Sequence, residues 1–364
     1  MTGNGRIAGR VLRPVAVATV VIIATAAAVN TAFALGRTVD ASAAGGSGAD
    51  VILGAYTGPA AEGLLRMKDW ERWSGIASPY ALDFAAGDSW PNIVGPAWLL
   101  APWRDAGRRL IYSLPLITTP GNGTAEPAAD QLRRCADGGY DDKWTELGRN
   151  LMSNNLPTTI VRPGWEFNGS WYGWAAKDRQ TDYIECFQHV VRAMRTVPGQ
   201  QFQFIWCPAV GDLEFPAEQA YPGNEFVDYV GVDVYDESWL PGTYPYASED
   251  PAVRQNAANM VWADILTGAH GLRFWSSFAK SNGRPFVIPE WGLSKRFDGH
   301  GGADNPIFVN NMLDYLTDPS NNVAFAMYFD FDTAGHGEHM LSPETSAFPQ
   351  SRRVMSERLR RISR

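Results

Sequence analysis

The sequence predicts an α/β protein with a single (β/α)8 TIM barrel, and three observations lead to this prediction. Eight short apolar runs alternate with helical patterns from residue 51 to the C-terminus. After residue 51 no further linker, internal repeat or low-complexity segment interrupts them. The stretch "LGAYTGPAAEG" at 53–63 is not the phosphate-binding glycine pattern that a doubly wound sheet, the alternative fold, commonly carries after its first strand.

The predicted elements follow in alternating order along the chain. Apolar runs bounded by turn residues predict strands at 51–56, 80–85, 109–116, 158–163, 202–207, 228–235, 285–292 and 323–331. Helical patterns between and after them predict helices at 62–74, 92–107, 141–154, 181–195, near 216–221, and at 253–282, 306–317 and 350–361. The catalytic end of such a barrel is formed by the C-terminal ends of its strands.

The N-terminal segment predicts export. Three arginines precede an apolar run at 15–29, and Ala32–Ala34 forms a small-residue cleavage site, so residues 1–34 read as a signal peptide. An uncleaved N-terminal membrane anchor is the alternative, because residues 15–35 contain only one strongly polar side chain. We therefore expect a protein that is secreted, or anchored in the membrane with its barrel outside the cytoplasm.

The remaining composition describes one acidic domain. Residues 35–50 are small and polar and predict a flexible linker, which leaves 51–364 as the barrel domain. The formal net charge is −8, and it becomes −11 without residues 1–34, which argues against a nucleic-acid partner. We expect a monomer that uses no cofactor.

Three cysteines leave the redox pattern open. Cys135, Cys186 and Cys207 allow one disulfide and one free thiol, or three small buried hydrophobic side chains. No CxxC or Cys/His spacing typical of a zinc site is present.

Acidic and aromatic residues gather where the predicted strands end. Glu166 follows the fourth strand among tryptophans, and Glu290 ends the seventh. A pair of carboxyl groups is what glycosidic bond cleavage needs, one protonated to assist the leaving oxygen and one ionised to attack the anomeric carbon. Glu166 lies among Trp165, Phe167 and Trp171 and is predicted to have a raised pKa. We therefore assign Glu166 as acid/base and Glu290 as nucleophile.

Several other residues are predicted to bind substrate. Arg162 and the hydroxyl of Tyr235 are placed to hold Glu290 charged, and aromatic rings at strand ends suit stacking on sugar faces. The full predicted set is Arg162, Trp165, Asn168, Trp171, Trp206, Tyr235, Trp291, Tyr328 and Asp330. Asn168 could instead cap the following segment. The run "DFDTAGHGEH" raises the alternative of a metal held by Asp332, His336 and His339, but a polar loop lining the cleft is the better interpretation, and we predict no metal site.

The segment "RPGWEFNGSWYGW" resembles the acid/base motif of glycoside hydrolase family 26, which usually reads RPxHExNGxWxxW. "VIPEWG" and "DYVGVDVYD" are similar to the nucleophile strand and the sixth strand of that family, and "FIWCPA" and "GGYDDKW" also fit. The resemblance spans roughly residues 51–345. It implies a barrel enzyme that cleaves β-linked polysaccharides such as mannan with retention, through a covalent glycosyl-enzyme. A transglycosylase on the same scaffold and a non-catalytic polysaccharide-binding barrel remain the alternatives.

One position departs from the family motif. Trp165 stands where the family has a histidine, and an indole cannot accept a hydrogen bond as that histidine can. We expect Trp165 to line the site as an apolar wall and to make this chain poor on mannan. The eighth strand also lacks an expected tryptophan, for which Tyr328, Phe329 or Phe331 could substitute.

Overall fold

The computed structural model describes residues 51–119, 126–333 and 337–362. The predicted signal peptide, the linker at 35–50 and His336 lie outside the described residues. Eight parallel strands form one sheet in the order β1-β9-β7-β6-β5-β4-β3-β2, and β1 also lies against β2, so the sheet nearly closes into a barrel. The predicted (β/α)8 fold is confirmed.

Each predicted strand is present. The barrel strands are β1 (Ile52–Tyr56), β2 (Tyr80–Phe84), β3 (Arg109–Leu114), β4 (Ile160–Pro163), β5 (Gln203–Trp206), β6 (Tyr229–Tyr235), β7 (Phe286–Gly292) and β9 (Val323–Phe329). Two short strands, β8 (Lys295–Arg296) and β10 (Gly337–Glu338), pair antiparallel with each other; they belong to the segments that follow β7 and β9. The barrel strands are almost entirely buried, because side chains fill the barrel on one face and helices cover the other.

The helices differ from the prediction at three places. They are α1 (Ala60–Ser74), α2 (Trp90–Ile93), α3 (Ala97–Leu100), α4 (Ala128–Ala136), α5 (Asp141–Ser153), α6 (Gln180–Arg195), α7 (Pro251–Thr267), α8 (Leu272–Ser281), α9 (Pro306–Thr317) and α10 (Pro349–Ile362), with 3-10 turns at Ala101–Trp103, Ala217–Ala220 and Pro319–Asn321. The single helix predicted at 92–107 was wrong, because Gly95-Pro96 and Pro102 break it into short turns. The helix predicted at 253–282 was wrong in length, because α7 ends at Thr267 before Gly268 and a separate helix, α8, begins at Leu272 after Gly271. Helix α4 was not predicted.

A disulfide joins two of the outer helices. Cys135 of α4 is bonded to Cys186 of α6, with 4.9 Å between their Cα atoms, and Cys207 is a buried free thiol. The open choice left by the sequence is therefore settled as one disulfide and one thiol. In the described part of the chain, none of the helices combines the length and apolarity needed to cross a bilayer.

Candidate active site

Glu166 lies in the turn after β4, where the backbone takes an unusual conformation. Gly164 and Glu166 have φ angles of 53° and 52°, a region that residues with a Cβ seldom adopt. The Glu166 N–H donates to the carbonyl of Cys207 at 2.8 Å, which ties this turn to the end of β5. The Trp171 indole N–H donates to Oε2 of Glu166 at 2.8 Å. The turn and these two bonds fix the direction of the Glu166 carboxyl.

Glu290 lies near the end of β7, where the strand register is irregular. The pairing of β6 with β7 shifts between Gly231 and Asp233, and that of β7 with β9 shifts between Ile288 and Trp291. Such irregularities re-aim side chains at strand ends. Oε1 of Glu290 accepts a hydrogen bond from Arg162, and Oε2 accepts one from the Tyr235 hydroxyl at 2.8 Å. The carboxylate is 5% exposed and both of its oxygens are occupied by donors.

Arg162 is the charged centre beneath the site. It is fully buried on β4 and also contacts Asp233 of β6, with Nη1 3.3 Å from Oδ1. Burial alone lowers the pKa of Arg162, but the charges of Asp233 and Glu290 raise it above its ordinary value. The Cys207 thiol donates to the same Asp233 oxygen at 3.3 Å. Glu290 is therefore held against a permanent cation whose second carboxylate partner fixes its position.

The two glutamates have different electrostatic environments. Burial and then the charge of Glu290 raise the pKa of Glu166 to about 8, and the Trp171 hydrogen bond and Arg162 lower it by smaller amounts. The influence of one carboxylate on the other shows that they are near enough to interact. Glu166 is thus a carboxylic acid at neutral pH, and Glu290 is a carboxyl group surrounded by donors.

Aromatic rings from β2, β6, β9 and the turn after β4 form one contacting group beside Arg162. Phe84 of β2 contacts Trp165 and Phe329, with ring centroids 5.5 and 6.1 Å apart, and Phe329 contacts Tyr235 at 6.0 Å. The guanidinium of Arg162 lies over the rings of Phe84 and Trp165 at 5.5 and 5.2 Å. The aromatic wall is defined here as Phe84, Trp165, Tyr235 and Phe329. Of the three rings proposed in place of the missing tryptophan, Phe329 is the one in this wall.

Trp165 and Trp171 have different exposures. Trp165 is 5% exposed, and its indole N–H donates to the Tyr172 hydroxyl at 3.0 Å. It therefore has little free surface, and its ring packs against Phe84, Tyr172 and Trp174. Trp171 is 52% exposed beside Glu166, which leaves its ring free to stack on a ligand.

Five of the predicted substrate-binding residues do not line the site. Asn168 is fully buried, and its side chain exchanges two 2.9 Å hydrogen bonds with the backbone of Ala209, so it joins two loops and cannot reach a ligand. Trp206 was also predicted wrongly, because it lies in the core against Trp275 and donates to the carbonyl of Ala220. A tryptophan at the end of a barrel strand points either to the cleft or to the helices, and the sequence alone did not separate the two.

The strand-end residues of β7 and β9 are also structural. Trp291 is buried against Tyr328 at 5.0 Å, and the Tyr328 hydroxyl donates to the carbonyl of His339. Asp330 is buried and accepts hydrogen bonds from the backbone of Leu341 and from Ser342. Tyr328 and Asp330 hold the loop after β9 in place, and Trp291 packs in the core, so all three are buried where a ligand cannot reach them, in contrast to the prediction.

No metal cluster is present in residues 51–119, 126–333 and 337–362. Asp332 accepts hydrogen bonds from the backbone N–H groups of His339 and Met340, and His339 Nδ1 lies 2.8 Å from the carbonyl of Leu293. Both side chains are thus engaged in loop structure, and His336 lies outside the described residues.

Two residues that the prediction did not assign to the site matter to its geometry. Asp233 holds Arg162, and its position two residues before Tyr235 on the same face of β6 was a signal that could have found it. Phe84 contacts Trp165, Phe329 and Arg162, and nothing in the run "YALDFA" distinguishes it from a core residue.

Comparison with known proteins supports the resemblance read from the motifs. A model of glycosyl hydrolase family 26 matches residues 138–259, a segment that contains Glu166 but not Glu290. A mannan endo-1,4-beta-mannosidase of Bifidobacterium adolescentis is 27% identical over 177 residues, which are 46% of this chain and 16% of that protein. One from Bacillus subtilis is 23% identical over 197 residues, or 44% of this chain and 52% of that protein. The chain thus aligns with about half or less of the length of these curated relatives.

Solved structures match over most of the chain. A modular endo-beta-1,4-mannanase from Cellulomonas fimi gives a TM-score of 0.58 at 20% identity and covers 83% of this chain and 69% of that one. A family 26 β-mannanase from Bacteroides ovatus gives 0.56 at 15% identity, with 86% and 88% covered. At these identities the structures show the barrel fold. The resemblance to glycoside hydrolase family 26 is carried by the family match over residues 138–259.

Proposed function

We propose that this chain is a retaining, endo-acting glycoside hydrolase that cleaves a β-linked polysaccharide of the mannan type through Glu166 and Glu290. The observation that carries the proposal is the contrast between the two carboxyl groups at one end of the barrel. Glu166 is held protonated at neutral pH, whereas Glu290 receives two hydrogen bonds, one of them from a buried guanidinium. This is the division of labour that a double displacement needs.

In the first step, Glu290 attacks the anomeric carbon while Glu166 gives its proton to the glycosidic oxygen. The bond to the leaving sugar breaks, and a covalent ester joins the remaining sugar to Glu290. Arg162 and Tyr235 occupy both oxygens of Glu290 and orient it for this attack.

In the second step, Glu166 is ionised and takes a proton from the incoming water. The water oxygen attacks the anomeric carbon, the ester breaks, and Glu290 returns as a carboxylate with net retention at the anomeric centre. When Glu290 is neutralised as the ester, its charge no longer raises the pKa of Glu166, so Glu166 loses its proton more readily and is ionised to act as the base in this step.

Mannan is the first candidate substrate because the two curated relatives described above are named mannan endo-1,4-beta-mannosidases. Trp165 favours a second candidate, a β-linked glycan with a different group where the family's histidine would bond a hydroxyl. Trp165 has little free surface, and its indole N–H donates to Tyr172, so it offers a ligand no hydrogen-bonding group. An apolar contact of this kind discriminates between sugars by only ~1–3 kcal/mol, so related glycans would be accepted.

A panel of β-1,4-mannan, glucomannan, mixed-linkage glucan and β-1,3-xylan tests the proposal. We expect new reducing ends and internal cleavage products on at least one of them, with a β-anomer formed first in proton NMR. Products longer than the substrate would indicate transglycosylation instead. If the unmodified protein and Glu290→Gln both bind a glycan tightly and release no product, the protein is a non-catalytic polysaccharide-binding barrel.

We also propose that the barrel works outside the cytoplasm. The Cys135–Cys186 disulfide supports this location, because such bonds persist in oxidising compartments. Fractionation of cells that express the full chain, with immunodetection of the barrel, tests it. Recovery of the barrel in the cytoplasm with both thiols reduced would contradict it.

A further inference from the structure

His339 lies directly above the end of β7, next to the aromatic wall. Its ring contacts Tyr235 and Phe329 edge to face, with centroids 5.3 and 5.6 Å apart. Those two residues end β6 and β9, which are the neighbours of β7 in the sheet. His339 Nδ1 also lies 2.8 Å from the carbonyl of Leu293, three residues beyond Glu290. The imidazole is thus held from three sides beside the proposed nucleophile.

The tautomer of this histidine follows from its partner. A carbonyl oxygen can only accept, so Nδ1 carries the proton and donates it to Leu293. Burial lowers the pKa of His339, which keeps the ring neutral. Nε2 is then a bare acceptor: no side chain or backbone group of the described residues donates to it, and it is not enclosed by protein atoms.

The ring as a whole is only 7% exposed, so the open Nε2 atom is part of the small surface that His339 offers to a ligand. The other polar groups nearby are occupied: the Tyr235 hydroxyl donates to Glu290, and the Trp165 indole donates to Tyr172. A sugar bound beside Glu290 would bring hydroxyl donors to a wall made mostly of hydrocarbon. Nε2 of His339 is positioned to accept from one of them.

We propose that His339 is a substrate-binding residue, whose Nε2 accepts a hydrogen bond from a hydroxyl of the sugar that Glu290 attacks. His339, in the loop after β9, supplies a hydrogen-bond acceptor that Trp165, in the turn after β4, cannot provide. This inference rests on the proposed glycosidase activity and adds to it a residue that selects the sugar. Tyr328, which donates to the His339 carbonyl, and Asp332, which accepts from its N–H, position the loop for this contact.

Two substitutions separate a ligand contact from a structural role. His339→Asn places an amide N–H near the position of Nδ1 and keeps the bond to Leu293, but it removes Nε2. His339→Gln places an acceptor oxygen near Nε2 and gives up the Leu293 bond. A ligand contact predicts that His339→Asn loses about tenfold in kcat/KM, the equivalent of ~1.4 kcal/mol, and that His339→Gln recovers most of it. A purely structural role predicts the reverse order.

The substitutions would be measured on the best substrate of the panel, with melting temperatures to check folding. His189→Asn is the matched control, because His189 bonds Asp141 on the outer helices. A direct readout uses the Glu166→Gln protein with β-1,4-mannopentaose, followed by nitrogen NMR of the imidazole. The Nε2 resonance should move on binding and the Nδ1 resonance should stay.

The outcomes distinguish this inference from the proposed function. If the unmodified protein cleaves a glycan but the two variants keep its kcat/KM or show the reverse order, the role of His339 is overturned and the glycosidase remains. If the protein neither cleaves nor binds any glycan of the panel or mannopentaose, both proposals are overturned.

Discussion

At the scale of single residues, the assignment of acid and nucleophile leads to the first prediction. Glu290→Ala should abolish turnover of every substrate, because no other group can form the glycosyl-enzyme. Glu166→Ala should reduce polysaccharide cleavage by several orders of magnitude but spare aryl glycosides with good leaving groups, which need little proton donation. Added azide should restore turnover of the aryl glycoside by Glu166→Ala and give a glycosyl azide. Equal losses on both substrate types, without azide rescue, would show that the roles are assigned wrongly.

The indole of Trp171 tunes the acid, which gives the second prediction. Its hydrogen bond to Glu166 lowers a pKa that burial and Glu290 raise to about 8. Activity should therefore fall as the pH rises through about 8, because the general acid loses its proton there. Trp171→Phe removes the hydrogen bond and keeps a ring, so this alkaline limb of kcat/KM should move to higher pH.

Trp98→Phe serves as the control for that measurement, because Trp98 is also an exposed tryptophan but lies on α3. Its pH profile should match that of the unmodified protein. An alkaline limb that stays in place in Trp171→Phe would mean that the indole bond does not act on the titrating group.

Residue types and strand ends were enough to predict which charged and phenolic side chains come together at this end of the barrel, but not the direction of every aromatic ring. Glu166, Glu290, Arg162 and Tyr235 could be found because carboxylates, a guanidinium and a phenol at strand ends have few structural uses. Trp206 could not be interpreted in this way, since a large ring fits the core and the cleft equally well and its direction depends on the strand pleat. His339 belongs to a loop, and loop positions carry no periodic signal.

At the scale of secondary-structure elements, the turn after β4 gives the third prediction. A Cβ on Gly169 would lie 2.3 Å from ring atoms of Trp171, so Gly169→Ala must displace that ring. Because Trp171 is 52% exposed, the ring can move toward solvent without unfolding the turn. We expect the alkaline limb of Gly169→Ala to shift upward as in Trp171→Phe, with a melting temperature close to that of the unmodified protein. An unchanged pH profile would contradict this.

The link between α4 and α6 gives the fourth prediction. Cys135 and Cys186 close a loop of 51 residues, for which the chain-entropy argument gives ~4 kcal/mol of stabilisation as an upper limit. Cys135→Ser with Cys186→Ser should lower the melting temperature by several degrees. Addition of a reductant should lower that of the unmodified protein in the same way and leave the double variant unchanged. If the reductant lowered the melting temperatures of the unmodified protein and of the double variant equally, its effect would not come from this disulfide.

The same elements show what a local pattern misses. All eight barrel strands were predicted, because a strand buried on both faces is a continuous apolar run with clear ends. Helix α4, with the sequence "AADQLRRCA", was missed because its short polar stretch reads as a loop until Leu132 and Cys135 are seen to pack on α6. The single helix predicted at 92–107 does not form, because Gly95-Pro96 interrupts it even though the apolar residues have helical spacing.

At the scale of the whole molecule, buried acids couple stability to pH. Burial raises the pKa of Asp83 and of Asp236 to about 7 each, well above the ordinary value of a carboxyl. Asp83 joins three elements: it accepts from the N–H of Ala60 at the start of α1 and from the Trp103 indole, and it lies on β2. Asp236 accepts from Tyr244 and Asn305 and ties the loop after β6 to the start of α9.

The sign of the effect follows from proton binding. Between about pH 4 and pH 7 the folded protein keeps a proton on each of these acids, which the unfolded chain has already released. Their contribution to stability is complete below about pH 4 and is lost as the pH rises through about 7. For each acid the loss is on the order of a few kcal/mol. Because of these two acids, we expect the melting temperature of the protein to be several degrees lower at pH 8 than at pH 5.

Asp83→Asn tests the last prediction because it mimics the protonated form permanently. The Ala60 N–H and the Trp103 indole both donate to Oδ2 of Asp83, at 2.8 and 2.7 Å, so the amide oxygen of asparagine can keep both bonds. The variant should therefore lose less stability than the unmodified protein between pH 5 and pH 8 in calorimetric unfolding. Asp105→Asn, at an exposed position, should leave that loss unchanged. If Asp83→Asn and the unmodified protein lost equal stability over this range, ionisation of Asp83 would not be what couples the barrel to pH.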